Sequence, residues 1–316
     1  MKIGIAKERK HGDKRVPILP SEVEKIVEHG HEVYVEKEAG VDVFVSDDEY
    51  KKAGAKIVTG PENIFNKDIV VKIKSPTDEE WTMLKDNILF CMLHPEQNAD
   101  VVKKLEKHSV KGVAMEAILN EYEERLIDAT DITGEQGMLY AFSQHSKSPK
   151  ECEVLLLGYG RVGSAAAEIA HREGARVKIL RKKEYKYIEH HLKGKDILAN
   201  AITWPKYKRE KREVVVREEM LKLLNPGAIV LDLAVDEPNP IETCRATTLS
   251  NPWYYVDLDD GRKVKHICIY GYPGLAPISC SERYSEQIAP LLLDIADNGL
   301  SKCSGYIKKG IVRLKK

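Results

Sequence analysis

The chain has 316 residues, of which 42% are hydrophobic, and 50 basic side chains balance 50 acidic ones, for a formal net charge of zero and a pI near 7.1. That length suits two domains of ordinary size, and the even charge excludes the broad positive field of a nucleic-acid or anionic-membrane binder. No apolar run is long enough to span a bilayer, so no membrane partner is expected either.

The first half alternates strands with helices. Strands are predicted at Lys2–Ala6, His31–Glu36, Asp68–Ile73, Ile88–Leu93 and Val110–Met115. Three capping boxes open the intervening helices: Ser21-Glu22-Val23-Glu24, Ser46-Asp47-Asp48-Glu49 and Thr77-Asp78-Glu79-Glu80. Gly30 stops the first helix, and a further helix is expected over Ala99–Lys107. Such alternation implies a parallel sheet covered on both faces.

A helix at Thr133–Gln144 leads into a second set of strands, at Cys152–Leu157, Ala175–Leu180, Asp196–Ile202, Ala228–Leu233 and Lys265–Ile269. A long helix follows over Cys280–Asn298, then the tail Ser301–Lys316, in which Gly305–Lys316 is read as a final strand with a basic end, packed on its own domain. The expected fold is α/β: two Rossmann-like, doubly wound parallel-sheet domains with a cleft between them. The first is discontinuous, residues 1–130 with about 290–316, and would bind substrate; residues 131–289 would form an NADP-binding domain.

The second domain opens on the most specific motif. An apolar run ends in Gly158-Tyr159-Gly160-Arg161-Val162-Gly163 and passes into an alanine-rich helix. This is the layout that binds a dinucleotide pyrophosphate: one glycine makes the turn, one admits the phosphates, and one lets helix and strand approach. The helix N-terminus presents free N–H groups to the anion. The next strand ends at Arg181-Lys182-Lys183, where an NAD site usually has a carboxylate for the ribose 2′-OH. A guanidinium there can bind a 2′-phosphate, so the expected cofactor is NADPH (NADP+).

Six cysteines, Cys91, Cys152, Cys244, Cys268, Cys280 and Cys303, include no C-x-x-C pair. They fit reduced, buried thiols in a cytoplasmic protein, with no metal site expected. The opening Met1-Lys2-Ile3-Gly4-Ile5 enters a strand at once and leaves no room for a signal peptide.

Ligands of open parallel sheets bind beyond the carboxyl ends of strands. The polar residues at those ends are Arg15, Lys72, Lys74, His94 and Glu116 in the first domain, and Asp232, Asp236 and Trp204-Pro205 in the second. Lys74 can polarise a carbonyl, Arg15 can clamp a carboxylate, and His94 can shuttle a proton. Asp236 could meet a substrate amine. A solvated strand-end lysine, a surface arginine, a core histidine and a turn-forming aspartate are the ordinary alternatives.

Gly4-Ile5-Ala6-Lys7-Glu8 with Arg15-Val16 and Leu19-Pro20, then Val71-Lys72-Ile73-Lys74-Ser75-Pro76, Leu89-Phe90-Cys91-Met92-Leu93-His94 and Asp232-Leu233-Ala234-Val235-Asp236, resemble the alanine dehydrogenase and transhydrogenase N-terminal family in order along nearly the whole chain. The resemblance implies that Arg15 and Lys74 contact the substrate carboxylate and carbonyl, that His94 is the catalytic acid–base and that Asp236 is the catalytic aspartate. It also implies a homo-oligomer acting on an amino acid and a 2-oxo acid. The chain departs from alanine dehydrogenases at Arg181, where they are acidic, at Gly271-Tyr272-Pro273, where they have Asn-Met-Pro, and in its shorter length. The short length, His94-Pro95 and the Arg181-Lys182 strand end look more like the N5-(carboxyethyl)ornithine synthase branch, which implies NADPH-dependent reduction of the imine between a pyruvate-like 2-oxo acid and ornithine or lysine. Reductive amination with ammonia, a saccharopine dehydrogenase-like reaction, and a catalytically silent NADPH sensor are the alternatives.

Overall fold

The computed structural model describes residues 1–10, 12–96 and 98–314, and the chain divides into two compact units, Met1–Ala129 with Pro277–Lys316, and Thr130–Ala276. In the first unit six strands form one sheet: β1 (Lys2–Ile5), β2 (Glu32–Glu36), β3 (Lys56–Val58), β4 (Ile69–Lys74), β5 (Ile88–Met92) and β6 (Lys111–Ala114). Their order is β3-β2-β1-β4-β5-β6 and every pairing is parallel. Winding reverses between β1 and β4, and loops leaving those two strands at their carboxyl ends diverge to leave a crevice. Helices cover both faces, so β4 and β5 are almost wholly apolar, as in Ile69-Val70-Val71 and Ile88-Leu89-Phe90. Lys72, fully buried, and Lys74 at the carboxyl end of β4 are the exceptions.

Local signals set most helix starts. Ser46 and Thr77 each form a complete capping box with the glutamate three residues on. The box expected at Ser21 does not form. That helix begins two residues earlier, at Pro20, with Leu19 as an N-cap that makes no side-chain bond. Proline at the first position already has helical φ and lacks one of the N–H groups a cap would satisfy.

The tail is not the strand expected of it. Residues Gly305–Gly310 form a helix, and only Ile311 makes an isolated antiparallel bridge, to Val113 of β6. Val312 then donates its N–H to the Gly112 carbonyl at 2.9 Å, which covers the exposed edge of β6. The long helix Pro277–Lys302 lies entirely in the first unit, so the chain crosses back at Ala276–Pro277 rather than near residue 290. Its buried face explains this. Ser281 and Ser285 accept the backbone N–H groups of Val16 and Leu19 through their hydroxyls, at 3.0 and 2.7 Å.

The second unit holds β7 (Glu153–Leu157), β8 (Arg176–Leu180), β9 (Ile197–Asn200), β10 (Ile229–Asp232), β11 (Trp253–Asp257) and β12 (Lys263–Ile267), ordered β11-β12-β10-β9-β7-β8. All pair in parallel except β11, an antiparallel edge strand absent from the sequence reading. Its alternating Trp253-Tyr254-Tyr255-Val256 is short and half-exposed, and only the hairpin with β12 gives it partners. Winding reverses between β7 and β9. The helix Thr130–Gln144 packs against the helix Arg161–Arg172 at van der Waals limit: a Cβ on Gly134 would stand 2.0 Å from the Val162 carbonyl oxygen. Among the described residues no helix is long and apolar enough to cross a membrane.

Candidate active site

The carboxyl edge of the first sheet gathers charge at its point of reversal. Arg15, in the segment that leaves β1, is only 3% exposed. Asp13, also buried, holds its Nε at 2.8 Å and its Nη2 as well, while Nη1 faces the Cys280 sulfur at 3.4 Å and the Tyr284 ring lies beneath the guanidinium. Burial acts to raise the Asp13 pKa, but the charge and hydrogen bonds of Arg15 outweigh it and hold the carboxyl below its ordinary value. The forked edge of Arg15 is therefore taken by Asp13.

Lys72 and Lys74 share β4 but not a role. Simple alternation would put both on one side. The register with β5 shifts between Val71 and Lys74, and Lys72 is sealed inside, bonded to Glu80 at 2.9 Å with Glu8 at 3.7 Å. Glu80 thus serves twice, since its other oxygen closes the capping box at Thr77. Glu8 accepts the backbone N–H of Ile73 at 2.6 Å and of Lys74 at 3.4 Å, which fixes the strand end that carries Lys74. Burial first, and then the nearby charge of Arg15, lower the Lys74 pKa to about 8. At neutral pH Lys74 is a cation that gives up its proton readily.

His94 follows β5 in a left-handed conformation, φ +48°, although Pro95 comes next. Glu116, in the turn after β6, supports it: its carboxylate accepts the N–H of Leu93 at 3.2 Å and of His94 at 2.5 Å, and lies 3.8 Å from the His94 Nδ1. Burial lowers the His94 pKa, Glu116 opposes that, and the charges of Arg125 and Lys74 reinforce it. The imidazole is therefore mainly neutral at pH 7. It is better suited to take a proton than to give one, and Lys74 is the stronger candidate for the acid.

In the second unit the glycine turn leaves β7 beside β9. Gly158 has φ +90°, and a Cβ there would lie 2.9 Å from the Ala201 carbonyl oxygen. A Cβ on Gly163 would stand 2.5 Å from the Gly158 oxygen, whereas one on Gly160 would meet nothing within 4 Å. Gly160 is the N-cap of the helix Arg161–Arg172 and offers no side-chain bond to its N–H groups. Open space over the end of a 12-residue helix fits a pyrophosphate. Arg161 is exposed and Val162 half-buried on its first turn. Arg181 immediately follows β8 and, with Lys182 and Lys183, is exposed; its backbone N–H is tied to Glu184 at 2.9 Å. The residues present fit a dinucleotide.

The two aspartates after β10 behave differently. Asp232 is enclosed: Asn200 and Asn239 donate to it at 2.9 and 2.6 Å, and the N–H groups of Ala234 and Val235 at 3.2 Å. Burial raises its pKa to about 6, despite those bonds. Asp236 accepts the Trp204 N–H at 2.7 Å and lies 3.5 Å from Arg209, and burial raises its pKa also. Val235 between them has φ +52°, a strained value for a β-branched residue. Asp13, Glu8 and Glu80 were missed by sequence reading. Asp13 sits two residues before Arg15, a faint signal, while Glu80 was already explained as a helix cap.

Two doubly wound α/β units, one with charged side chains at its reversal point and one with a glycine turn shaped for a dinucleotide, define a dehydrogenase-type architecture. Residues 4–131 match the family described as alanine dehydrogenase/PNT, N-terminal domain, and residues 180–313 match its C-terminal domain. The chain is 30% identical to the alanine dehydrogenase of Methanococcus maripaludis, over 95% of this chain and 88% of that one. It is 29% identical to alanine dehydrogenase 1 of Staphylococcus aureus, over 96% and 89% respectively. The fold is that of a solved L-alanine dehydrogenase (TM-score 0.85, 24% identity, 99% and 95% covered) and of a transhydrogenase from Sinorhizobium meliloti (0.83, 20%, 99% of each). The chain belongs to the alanine dehydrogenase/PNT family and is an NAD(P)-dependent oxidoreductase acting on CH–NH groups.

Proposed function

We propose that this enzyme uses NADPH to reduce the imine formed between a pyruvate-like 2-oxo acid and an amino acid with a side-chain amine, ornithine or lysine, as an N5-(carboxyethyl)ornithine synthase does. The observation that carries the reading is the placement of Arg15 and Lys74 together at the β1/β4 reversal, close enough that Arg15 helps lower the Lys74 pKa. Arg15 holds the keto-acid carboxylate through Nη1. Lys74 donates to the keto oxygen and draws electron density from the carbon. His94, neutral at the working pH, takes the proton released when the amine adds. Lys74 gives its proton to the carbonyl oxygen as the hydroxyl forms, and the proton held on His94 passes to that hydroxyl, which leaves as water and generates the cationic imine. Asp236 accepts a hydrogen bond from the incoming amine. NADPH, when bound, supplies the hydride that reduces the C=N bond. Gly158, Gly160, Arg161, Val162 and Gly163 would hold its pyrophosphate, and Arg181 with Lys182 its 2′-phosphate.

Residues 1–129 with 277–316 would serve as the substrate domain, and 130–276 as the NADP-binding domain. We take the enzyme to work in the cytoplasm as a homo-oligomer; its six buried free cysteines suit a reducing compartment. The test is to supply pyruvate and NADPH with ammonia, ornithine or lysine and to follow cofactor absorbance. Turnover with ornithine or lysine and little with ammonia is expected. Ammonia as the sole productive amine would make it an alanine dehydrogenase, and silence with every amine would make it a sensor.

A further inference from the structure

Beside Lys74 lies a hollow of about 340 Å³, set among the loops that leave β1, β4 and β5. Arg9, Lys10, Ser75, Trp81, Val101 and Lys104 line it. Two of its three cations are matched. Arg9 is held by Glu36 and Glu80, and Lys104 by Asp78 at 2.7 Å and Asp100 at 2.9 Å. Lys10 is not matched. It donates to the Ser75 hydroxyl at 3.0 Å, and among the described residues no carboxylate lies within 4.0 Å of it. Burial lowers its pKa, and the Asp78 carboxylate, which also lines the hollow but pairs with Lys104, only partly opposes that. Trp81 and Val101, both buried, give the hollow an apolar wall.

We infer that this hollow is a subsite for the carboxylate of the amine-donating amino acid, bound by Lys10 and Ser75, with the substrate's methylene chain along Trp81 and Val101. The inference rests on the reading above and deepens it. Ser75 directly follows Lys74, and the charge of Lys10 reaches the Lys74 ammonium. An amino acid anchored here by its carboxylate extends its terminal amine toward the carbonyl that Lys74 polarises. Ammonia has no group to place in the hollow, and a diamine without a carboxylate gains nothing from Lys10.

The experiment compares ornithine with 1,4-diaminobutane, the same chain lacking the carboxylate, as amines for pyruvate and NADPH. Lys10→Met should raise the KM for ornithine about tenfold, the loss of one charge-assisted contact, and leave those for diaminobutane and pyruvate unchanged. Lys10→Arg should recover most of the loss, with melting temperatures equal throughout. If Lys10→Met alters both amines alike, Lys10 acts through Lys74 and the subsite is overturned; no change with either amine overturns it too. Calorimetric titration of ornithine into the full-length protein separates this from the reaction itself. Lys10-dependent ornithine binding in an enzyme that reduces only with ammonia keeps the subsite and removes the opine reading. Ornithine turnover insensitive to Lys10 does the reverse. Inorganic phosphate binding more tightly than ornithine would make the hollow a general anion site and overturn the inference.

Discussion

The two six-stranded sheets end in contrasting ways at their reversal points. After β1 and β4 the first sheet presents a packed set of charged side chains, Glu8, Asp13, Arg15 and Lys74, with Asp13 paired to Arg15 and Glu8 bonded to the backbone of Ile73 and Lys74. After β7 the second presents a turn of three glycines and the end of a helix, with Tyr159 and Arg161 exposed on it. Side chains at the first edge can polarise bonds and move protons, because burial and neighbouring charges have shifted their pKa values. Backbone N–H groups at the second can bind an anion with fixed geometry but cannot titrate. Substitutions at the first edge should therefore damage rate, and those at the second should damage cofactor affinity.

The largest effect is expected at Lys74. Lys74→Ala should lower kcat by roughly 10³-fold, within the range for loss of a positioned acid, with the dissociation constant for NADPH unchanged. A parallel loss of NADPH affinity would erase the distinction between the edges. The pH profile sharpens it. Lys74 is cationic below a pKa of about 8, so reduction should fall as pH rises through that value. Lys74→Arg, whose guanidinium stays charged, should turn over slowly but without that basic limb.

A smaller loss is expected at Gly163. The Cβ of Gly163→Val would collide with the backbone oxygen of Gly158, so affinity for NADPH and NADH should fall together, by about 10–100-fold. Fluorescence titration of the bound nicotinamide would measure it, and a selective effect on one cofactor would argue against a pyrophosphate role. The smallest of the three concerns Arg181. Arg181→Asp should raise the KM for NADPH by about tenfold while leaving that for NADH nearly unchanged, since only the 2′-phosphate distinguishes them. Equal changes would remove the 2′-phosphate assignment.

Sequence reading fared best where structure is local. The Ser46 and Thr77 capping boxes formed because all their partners lie within three residues. Strands β5 and β7 were legible because a strand covered on both faces is apolar nearly throughout, and the edge strand β8 because Arg176, Lys178 and the apolar Val177 and Ile179 alternate. The tail failed for the opposite reason. Gly305-Tyr306-Ile307-Lys308 has no decisive periodicity, and the helix there is held by contacts with residues nearly 200 positions earlier, including Lys309 on the Leu119 carbonyl and Tyr306 on Glu121. The edge strand β11 was missed because its identity depends on β12.

By itself the sequence determined the α/β alternation, the glycine turn and the arginine at the end of β8, since each is written in consecutive residues whose backbone preferences and charges act over a few ångströms. Only the tertiary structure decided that Asp13 takes the fork of Arg15, that Glu8 pins the strand end bearing Lys74, that Lys72 is fully buried while Lys74 is half-buried, and that burial lowers the His94 pKa. Those outcomes come from burial and from charges brought together across dozens of residues, and desolvation has no signature in a linear chain.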